Sequence, residues 1–156
     1  MKQELTEFLE GYEKLVIVGI GNDLRGDDAL GTFIVRGLNI QDPKIVSMDG
    51  GVVPENFTGA IKKETPSHIL LVDAVDMKED PGSVRMVHKE EISNYSISTH
   101  SLPISFLIKY LENGTGAKIA LIGIQPQSME LGDEMTLEVK KSAMNVLNVF
   151  KSIIKP

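Results

Sequence analysis

The sequence contains no cysteine. This absence excludes disulfide bonds, thiolate metal sites and a cysteine nucleophile, and it leaves His, Asp, Glu, Ser, Thr and Lys as the candidate chemical groups. Basic residues are also scarce, since 16 Lys and Arg stand against 22 Asp and Glu, for a net charge of -6. A protein that tracks nucleic-acid phosphates needs a basic face, so we expect no nucleic-acid partner.

Long apolar runs are absent as well. No stretch reaches the roughly 18 residues that a membrane helix needs, and residues 1–7 lack the apolar core of a signal peptide. We therefore expect a cytoplasmic protein without membrane insertion. The 156 residues, of which 42% are hydrophobic, suffice to bury a core, and we expect one domain over residues 1–156.

Short apolar runs alternate with segments of helical spacing, a pattern typical of an open α/β sheet. Strands are predicted at 15–18, 44–48, 69–72, 83–87 and 118–124. Too few residues separate the third strand from the fourth for a parallel crossover, which takes about a dozen residues or more. The fourth strand is therefore predicted to run antiparallel, at an edge of a mixed sheet.

Polar side chains lie just after the predicted strands, at the position where open α/β sheets bind their ligands. Asp27 and Asp28 follow the first strand, Asp49 the second and Asp73 the third, while His100 precedes a predicted helix. Because ligands lie beyond the carboxyl ends of parallel strands, these groups could converge. Carboxylates with one imidazole suit zinc, nickel, manganese or iron, although each aspartate could equally cap a helix or form a turn.

The remaining histidines, His68 and His88, flank predicted strands, and we expect both of them at the surface.

Two other functions fit parts of the pattern. A dinucleotide-binding domain would explain why Gly19 and Gly21 follow a strand, and in such a domain Asp49 would bind the ribose of the dinucleotide. The third glycine of that motif, however, is replaced by Leu24. A phosphorylated receiver domain would explain paired aspartates and Asp73. The pair stands too far from the first strand, however, and no lysine follows the fifth.

The sequence resembles the nickel-iron hydrogenase maturation endopeptidases, and most closely the branch that processes hydrogenase 3, of the formate hydrogenlyase type. The resemblance covers nearly the whole chain in order. The motifs that carry it are Gly19-Ile-Gly21-Asn22, Gly26-Asp27-Asp28, Asp49-Gly50-Gly51, Pro54-Glu55-Asn56, Val72-Asp73-Ala74, Asp76-Met77, Pro81-Gly82, Thr99-His100-Ser101-Leu102-Pro103 and Gly123-Ile124-Gln125-Pro126.

The resemblance implies a three-layer α/β/α sandwich with a mixed five-stranded sheet whose fourth strand is antiparallel. It implies a protease that removes a C-terminal peptide from the hydrogenase large-subunit precursor after nickel insertion. Matched motif by motif, Asp28, Asp73 and His100 would contact the metal, and some members have glutamate in place of Asp28. Asp49 falls on the Asp-Gly-Gly motif, for which recognition or catalysis is expected.

The missing cysteines are consistent with this resemblance, because the nickel would arrive held by thiolates of the precursor. We expect no organic cofactor, and we expect Asp28, Asp73 and His100 to complete the coordination of the nickel carried by the precursor. Asp27 is then the residue expected to cap or support its loop. An accessory protein that binds metal without peptidase activity is the alternative within this resemblance.

Overall fold

The computed structural model describes residues 1–97 and 103–154. Its strands are β1 (Leu15–Ile20), β2 (Ile45–Gly51), β3 (His68–Asp76), β4 (Val84–Val87), β5 (Ser96–Ile97) and β6 (Lys118–Ile124). Its α-helices are α1 (Lys2–Phe8), α2 (Leu30–Gly37), α3 (Thr58–Lys63), α4 (Ile104–Thr115) and α5 (Leu137–Ile153). Single 3₁₀ segments occupy Gly26–Ala29, Pro54–Phe57 and Lys89–Asn94. Within these described residues, no helix is both long and apolar enough to cross a bilayer.

Five strands form a mixed sheet in the order β2-β1-β3-β6-β4. The first four are mutually parallel, and β4 runs antiparallel to β6 at the edge, with Val84 opposite Ile124. The predicted sheet, including its antiparallel fourth strand, is therefore confirmed. The two-residue β5, which the sequence did not predict, pairs antiparallel with the end of β3.

Two hydrophobic clusters cover opposite faces of the sheet. Helices α1, α2 and α5 contribute to one cluster, and α3 and α4 contribute to the other. Strand β1 is buried along its whole length, because it has neighbours on both edges and helices on both faces. This arrangement is the expected three-layer α/β/α sandwich. For brevity, the two faces are called the α2 face and the α4 face below.

Two strands run further than their apolar cores suggested. β2 continues to Gly51, beyond the predicted end at residue 48, and β3 continues to Asp76. Asp73 consequently lies inside β3 rather than after it, where it pairs with Gly123 of β6. The neighbouring strands provide hydrogen-bond partners beyond the apolar run, so the carboxylate does not end the strand.

His68 is buried, and the prediction of a surface histidine at this position was wrong. Only 4% of the residue is exposed, because α1 and the segment after it cover the start of β3. The imidazole packs edge-on against Phe8, with ring centroids 5.2 Å apart, and its Nδ1 lies 2.9 Å from the Ser67 hydroxyl. His88, by contrast, is exposed as predicted.

The burial of His68 predicts a dependence of stability on pH. Burial, assisted by the charge of Lys118, lowers the pKa of His68 below its usual value of 6.5. Unfolding then takes up a proton, so the free energy of unfolding is highest above pH 6.5 and falls as pH drops toward the lower pKa of the folded state. We expect His68→Gln to flatten this slope in denaturant titrations run at several pH values.

The matched control is His88→Gln, which removes an exposed imidazole. If His68→Gln kept the same slope of unfolding free energy against pH as the parent protein, the assignment of that slope to His68 would be refuted, whatever the absolute stability of the variant.

Candidate active site

The loop after β1 folds back on the start of α2. Gly21 has a φ of +149°, and a Cβ there would lie 1.8 Å from the carbonyl oxygen of Asp28. The Asn22 N–H donates to that same oxygen at 3.1 Å and to Asp28 Oδ2 at 3.2 Å. The glycine thus makes room for the protein's own backbone, which explains why this loop resembles a dinucleotide-binding loop only in sequence.

Asp28 and Asp73 belong to segments that pack closely at the carboxyl ends of β1 and β3. A Cβ on Gly31 would lie 2.3 Å from Ile20 O and 2.5 Å from Val72 O, so the first turn of α2 rests directly on both strands. Both aspartates are fully buried. Each makes polar interactions, among them the Ala74 N–H that donates to Asp73 Oδ1 at 2.8 Å.

The alternation of side chains assigns Asp73 to the α4 face. Its neighbours two residues away, Leu71 and Val75, both belong to the cluster on that face, and successive side chains of a strand point to opposite faces. Helix α4 begins at Ile104, shortly after His100 in the sequence. The fold therefore brings Asp73 to the face whose helix follows the predicted imidazole.

Asp49 lies in a different environment. Its Oδ2 accepts hydrogen bonds from Arg36 Nε at 2.9 Å and Nη2 at 2.7 Å, and its Oδ1 accepts one from the Gly51 N–H at 3.3 Å. Arg36 belongs to α2, and its Nη1 also contacts Asp23 at 2.7 Å. Asp49 is thus held in an ion pair on the α2 face, beside a cleft of about 480 Å³ between the loops after β1 and β2.

The hydrogen bond from Thr32 and the ion pairs of Arg36 with Asp23 and Asp49 shift the pKa values of Asp23 and Arg36. The Thr32 hydroxyl, which donates to Asp23 Oδ1 at 2.7 Å, lowers the pKa of Asp23, and the Arg36 guanidinium acts in the same direction against the effect of burial. The two carboxylates in turn raise the pKa of Arg36. The network holds the Asp-Gly-Gly turn in a defined position relative to α2.

Asp27 joins two loops that are a hundred residues apart in sequence. Its Oδ2 accepts the N–H groups of Gln127 at 2.8 Å and Ser128 at 3.0 Å. Its Oδ1 accepts the Thr136 N–H at 2.7 Å and the Thr136 hydroxyl at 2.9 Å. The carboxylate therefore fixes the loop after β6 and the entry to α5, which agrees with the supporting role expected for Asp27.

Gln125 is a structural residue whose partners the sequence did not reveal. Its side chain is buried after β6, where Oε1 accepts the Met77 N–H at 2.6 Å and Nε2 donates to Asp76 Oδ1 at 3.2 Å. These bonds tie the end of β6 to the turn that follows β3. In the sequence, Gln125 stood at a strand end and within the motif Gly123-Ile124-Gln125-Pro126. Neither observation specifies partners about fifty residues away.

His100 lies outside the described residues, which stop at Ile97 and resume at Pro103. Among the residues that are described, no group of three or more His, Asp or Glu side chains is placed to hold a metal ion. The ligand set of Asp28, Asp73 and His100 therefore stays a prediction. The fold places the segments of Asp28 and Asp73 together at the carboxyl ends of β1 and β3.

Comparisons with known proteins agree with this architecture. The family model "HycI: Hydrogenase maturation protease" matches residues 35–153. A Methanocaldococcus jannaschii protein assigned by name to the hydrogenase maturation proteases is 38% identical over 164 residues, covering 99% of this chain and 96% of that protein. The hydrogenase 3 maturation protease of Escherichia coli K12 is 33% identical over 134 residues, covering 84% of this chain and 85% of that protein.

A solved structure shows the same fold. The crystal structure of a [NiFe] hydrogenase maturation protease HycI from Thermococcus kodakarensis KOD1 superposes with a TM-score of 0.91 at 31% identity, and the match covers 98% of this chain and 99% of that chain.

Proposed function

The chain belongs to the hydrogenase maturation protease family, and we propose that it removes the C-terminal extension of a nickel-iron hydrogenase large-subunit precursor after nickel has been inserted. Its relatives are named as proteases and endopeptidases, and the chain is an enzyme of that class. We place this reaction in the cytoplasm and assign it to one domain over residues 1–156. The observation that carries the proposal is the pair of fully buried carboxylates, Asp28 and Asp73, at the carboxyl edge of the family's fold.

In this proposal Asp28, Asp73 and His100 bind nickel that the precursor already carries. Asp28 and Asp73 each accept a backbone N–H, from Asn22 and Ala74 respectively. Carboxylate oxygens and an imidazole nitrogen are ligand types that nickel accepts. Ile97 pairs with Val75 next to the end of β3 and precedes His100 by three residues, which supports an imidazole contribution from the same side. Since the nickel is part of the substrate, the enzyme needs no thiolates of its own.

Recognition of bound nickel provides a check on metal insertion. A ligand shifts an equilibrium only through its different affinities for two states, so the precursor must bind more tightly when loaded than when empty. The two carboxylates and the imidazole supply that difference, because they gain a cation only in the loaded complex. Cleavage of an unloaded precursor is then slow because its complex with the enzyme forms weakly.

Hydrolysis requires a water oxygen to attack the scissile carbonyl carbon and a proton to reach the departing amine. We propose that Asp49 acts at this step or in recognition of the precursor. Its ion pair with Arg36 holds the carboxylate in one orientation beside the cleft, and a positioned carboxylate can accept a proton from water. The nickel of the precursor could supply the polarisation of water or carbonyl instead.

One assay tests the proposed function. The purified protein is incubated with nickel-loaded and with nickel-free precursor, and the truncated large subunit is followed by mass spectrometry. We expect truncation of the loaded precursor alone. Equal truncation of both forms would refute nickel recognition, while truncation of neither would favour the accessory-protein alternative.

A further inference from the structure

The cleft between the loops after β1 and β2, which we call the β1-β2 cleft, is bordered by Asp49 and by apolar side chains that the protein leaves uncovered. Leu24 is 66% exposed, Val52 is 44% exposed and Val53 is 38% exposed. All three line the β1-β2 cleft, whose volume is about 480 Å³. Single apolar side chains scattered over a surface are ordinary, but several around one concave site mark a place where an apolar ligand binds.

The two walls of the β1-β2 cleft are fixed by hydrogen bonds of the backbone. The Gly21 N–H donates to Gly51 O at 2.9 Å, which joins the loop after β1 to the turn after β2. The Leu24 N–H donates to Asn22 Oδ1 at 2.9 Å, and Leu24 O accepts the Gly132 N–H at 2.7 Å. The exposed Leu24 side chain therefore extends from a backbone that is already held in place, and a ligand does not have to order it.

The charged groups of the β1-β2 cleft already have partners within the protein. Arg36 lies between two carboxylates, with Nη2 2.7 Å from Asp49 Oδ2 and Nη1 2.7 Å from Asp23 Oδ2. Asp23 also accepts the Thr32 hydroxyl at 2.7 Å. A charged ligand would compete with these contacts, whereas an apolar side chain would cover the aliphatic residues and leave the ion pairs intact. The β1-β2 cleft therefore favours an apolar occupant.

The β1-β2 cleft lies next to the predicted nickel ligands and toward the edge of the sheet. Asn22, which lines the cleft, donates its backbone N–H to Asp28 Oδ2 at 3.2 Å. Asp49, on the neighbouring strand, lines the cleft as well. Strand β2 is the outermost strand, beyond β1. A polypeptide that left a nickel site at the ends of β1 and β3 and continued outward past Asp49 would therefore enter the β1-β2 cleft.

We propose that the β1-β2 cleft binds an apolar side chain of the removed extension, at the position directly after the scissile bond, and that Leu24 and Val52 determine this preference. The proposal rests on the proposed function. The nickel-bearing part of the precursor precedes the cut, so the residue that lies beyond Asp49 belongs to the extension. In a hydrophobic pocket the loss of one methylene already lowers kcat/KM by roughly tenfold or more, and a polar side chain should lower it at least as much.

Binding can be measured without any proteolysis. The full chain, labelled with ¹⁵N, is titrated with two N-acetylated and C-amidated peptides, Gly-Gly-Leu-Gly-Gly and Gly-Gly-Asn-Gly-Gly, whose central side chains have similar shapes but differ in polarity. We expect saturable shifts of the backbone amides of Asn22, Leu24 and Val52 with the leucine peptide. The affinity for the asparagine peptide should be about tenfold weaker, because its side chain gains little from burial. Equal affinities, shifts centred elsewhere, or no saturable shifts would each overturn the proposal.

Two variants and one control assign the binding to the cleft. Leu24→Asn and Val52→Thr each replace an exposed side chain by a polar one of similar shape, and each should weaken binding of the leucine peptide severalfold. Leu137→Asn is the matched control, because Leu137 is 69% exposed on α5 and lies outside the lining of the cleft. It should leave the titration unchanged. Sedimentation velocity tests a second copy as the occupant, and a wild-type dimer that Leu24→Asn converted to a monomer would overturn the proposal.

A processing assay connects the β1-β2 cleft to the reaction. Mass spectrometry identifies the bond that is cut, and the residue after it is changed to leucine or to asparagine in nickel-loaded precursor. The wild type should cleave the leucine form with a kcat/KM about tenfold higher. Leu24→Asn should reduce this ratio severalfold, and Leu137→Asn should keep it.

The two proposals fail in different ways. An equal kcat/KM for both precursor forms would overturn the subsite while the proposed function stood. Binding of the leucine peptide without cleavage of any precursor would refute the proposed function alone, since the apolar binding site would stand.

Discussion

A His100→Ala variant is expected to lose processing of nickel-loaded precursor by more than about a hundredfold, because loss of even the partner of a metal ligand typically costs about 10- to 100-fold. Alanine cannot donate a nitrogen lone pair to the metal, so the loaded precursor would lose its advantage over the unloaded one. The measurement is the initial rate of large-subunit truncation, together with the affinity for each precursor form.

The matched control is His88→Ala, which removes an exposed histidine from the end of β4. Circular dichroism and thermal denaturation should show both variants folded. Asp28→Asn and Asp73→Asn should reproduce the loss caused by His100→Ala, since an amide keeps the size of a carboxylate but not its charge. Full retention of cleavage by His100→Ala would exclude the imidazole from the metal site.

An Asp27→Asn variant is expected to lower the free energy of unfolding by about 3 kcal/mol, since each buried donor left unsatisfied costs about 1 to 3 kcal/mol. Both carboxylate oxygens accept backbone N–H groups, from Gln127 and Ser128 on one side and Thr136 on the other. Whichever way the amide turned, its NH₂ would face a backbone donor. The midpoint temperature of thermal unfolding, Tm, should fall by about 10 °C for a chain of this size.

Asp133→Asn is the control for this stability measurement, because Asp133 lies in the loop between β6 and α5 and its side chain is exposed. Its substitution should change the free energy of unfolding by less than about 0.5 kcal/mol.

The comparison of Asp27→Asn with Asp28→Asn separates two adjacent buried carboxylates. The first should lose mainly stability and the second mainly processing. An Asp27→Asn protein as stable as the wild type would remove the supporting role that we assign to its hydrogen bonds.

The architecture could be predicted because local patterns carry it. Apolar runs specify strands buried on both faces, and the short connection between β3 and β4 forces the antiparallel edge. The ends of strands were less predictable. β3 extends through Asp73 to Asp76 because β6 and β5 provide its hydrogen-bond partners, and neither pairing can be read from the residues of β3 alone.

His68 shows the same limit for a single side chain. A polar residue before an apolar run is usually exposed, and the sequence offered no sign that Phe8 and Tyr12 would cover this one. Burial depends on how α1 packs across the start of the sheet. That arrangement depends on contacts between segments about sixty residues apart.

The sequence by itself determined the α/β class, the mixed sheet, the family and the residues to consider, because these follow from periodicity, connection lengths and motifs. Only the tertiary structure decided which contacts each aspartate makes and on which face of the sheet it lies. Asp27 fixes two loops, Asp49 pairs with Arg36 on the α2 face, and Asp73 is assigned to the α4 face. Hydrogen bonds and ion pairs join residues by distance in space, and chain folding alone sets that distance.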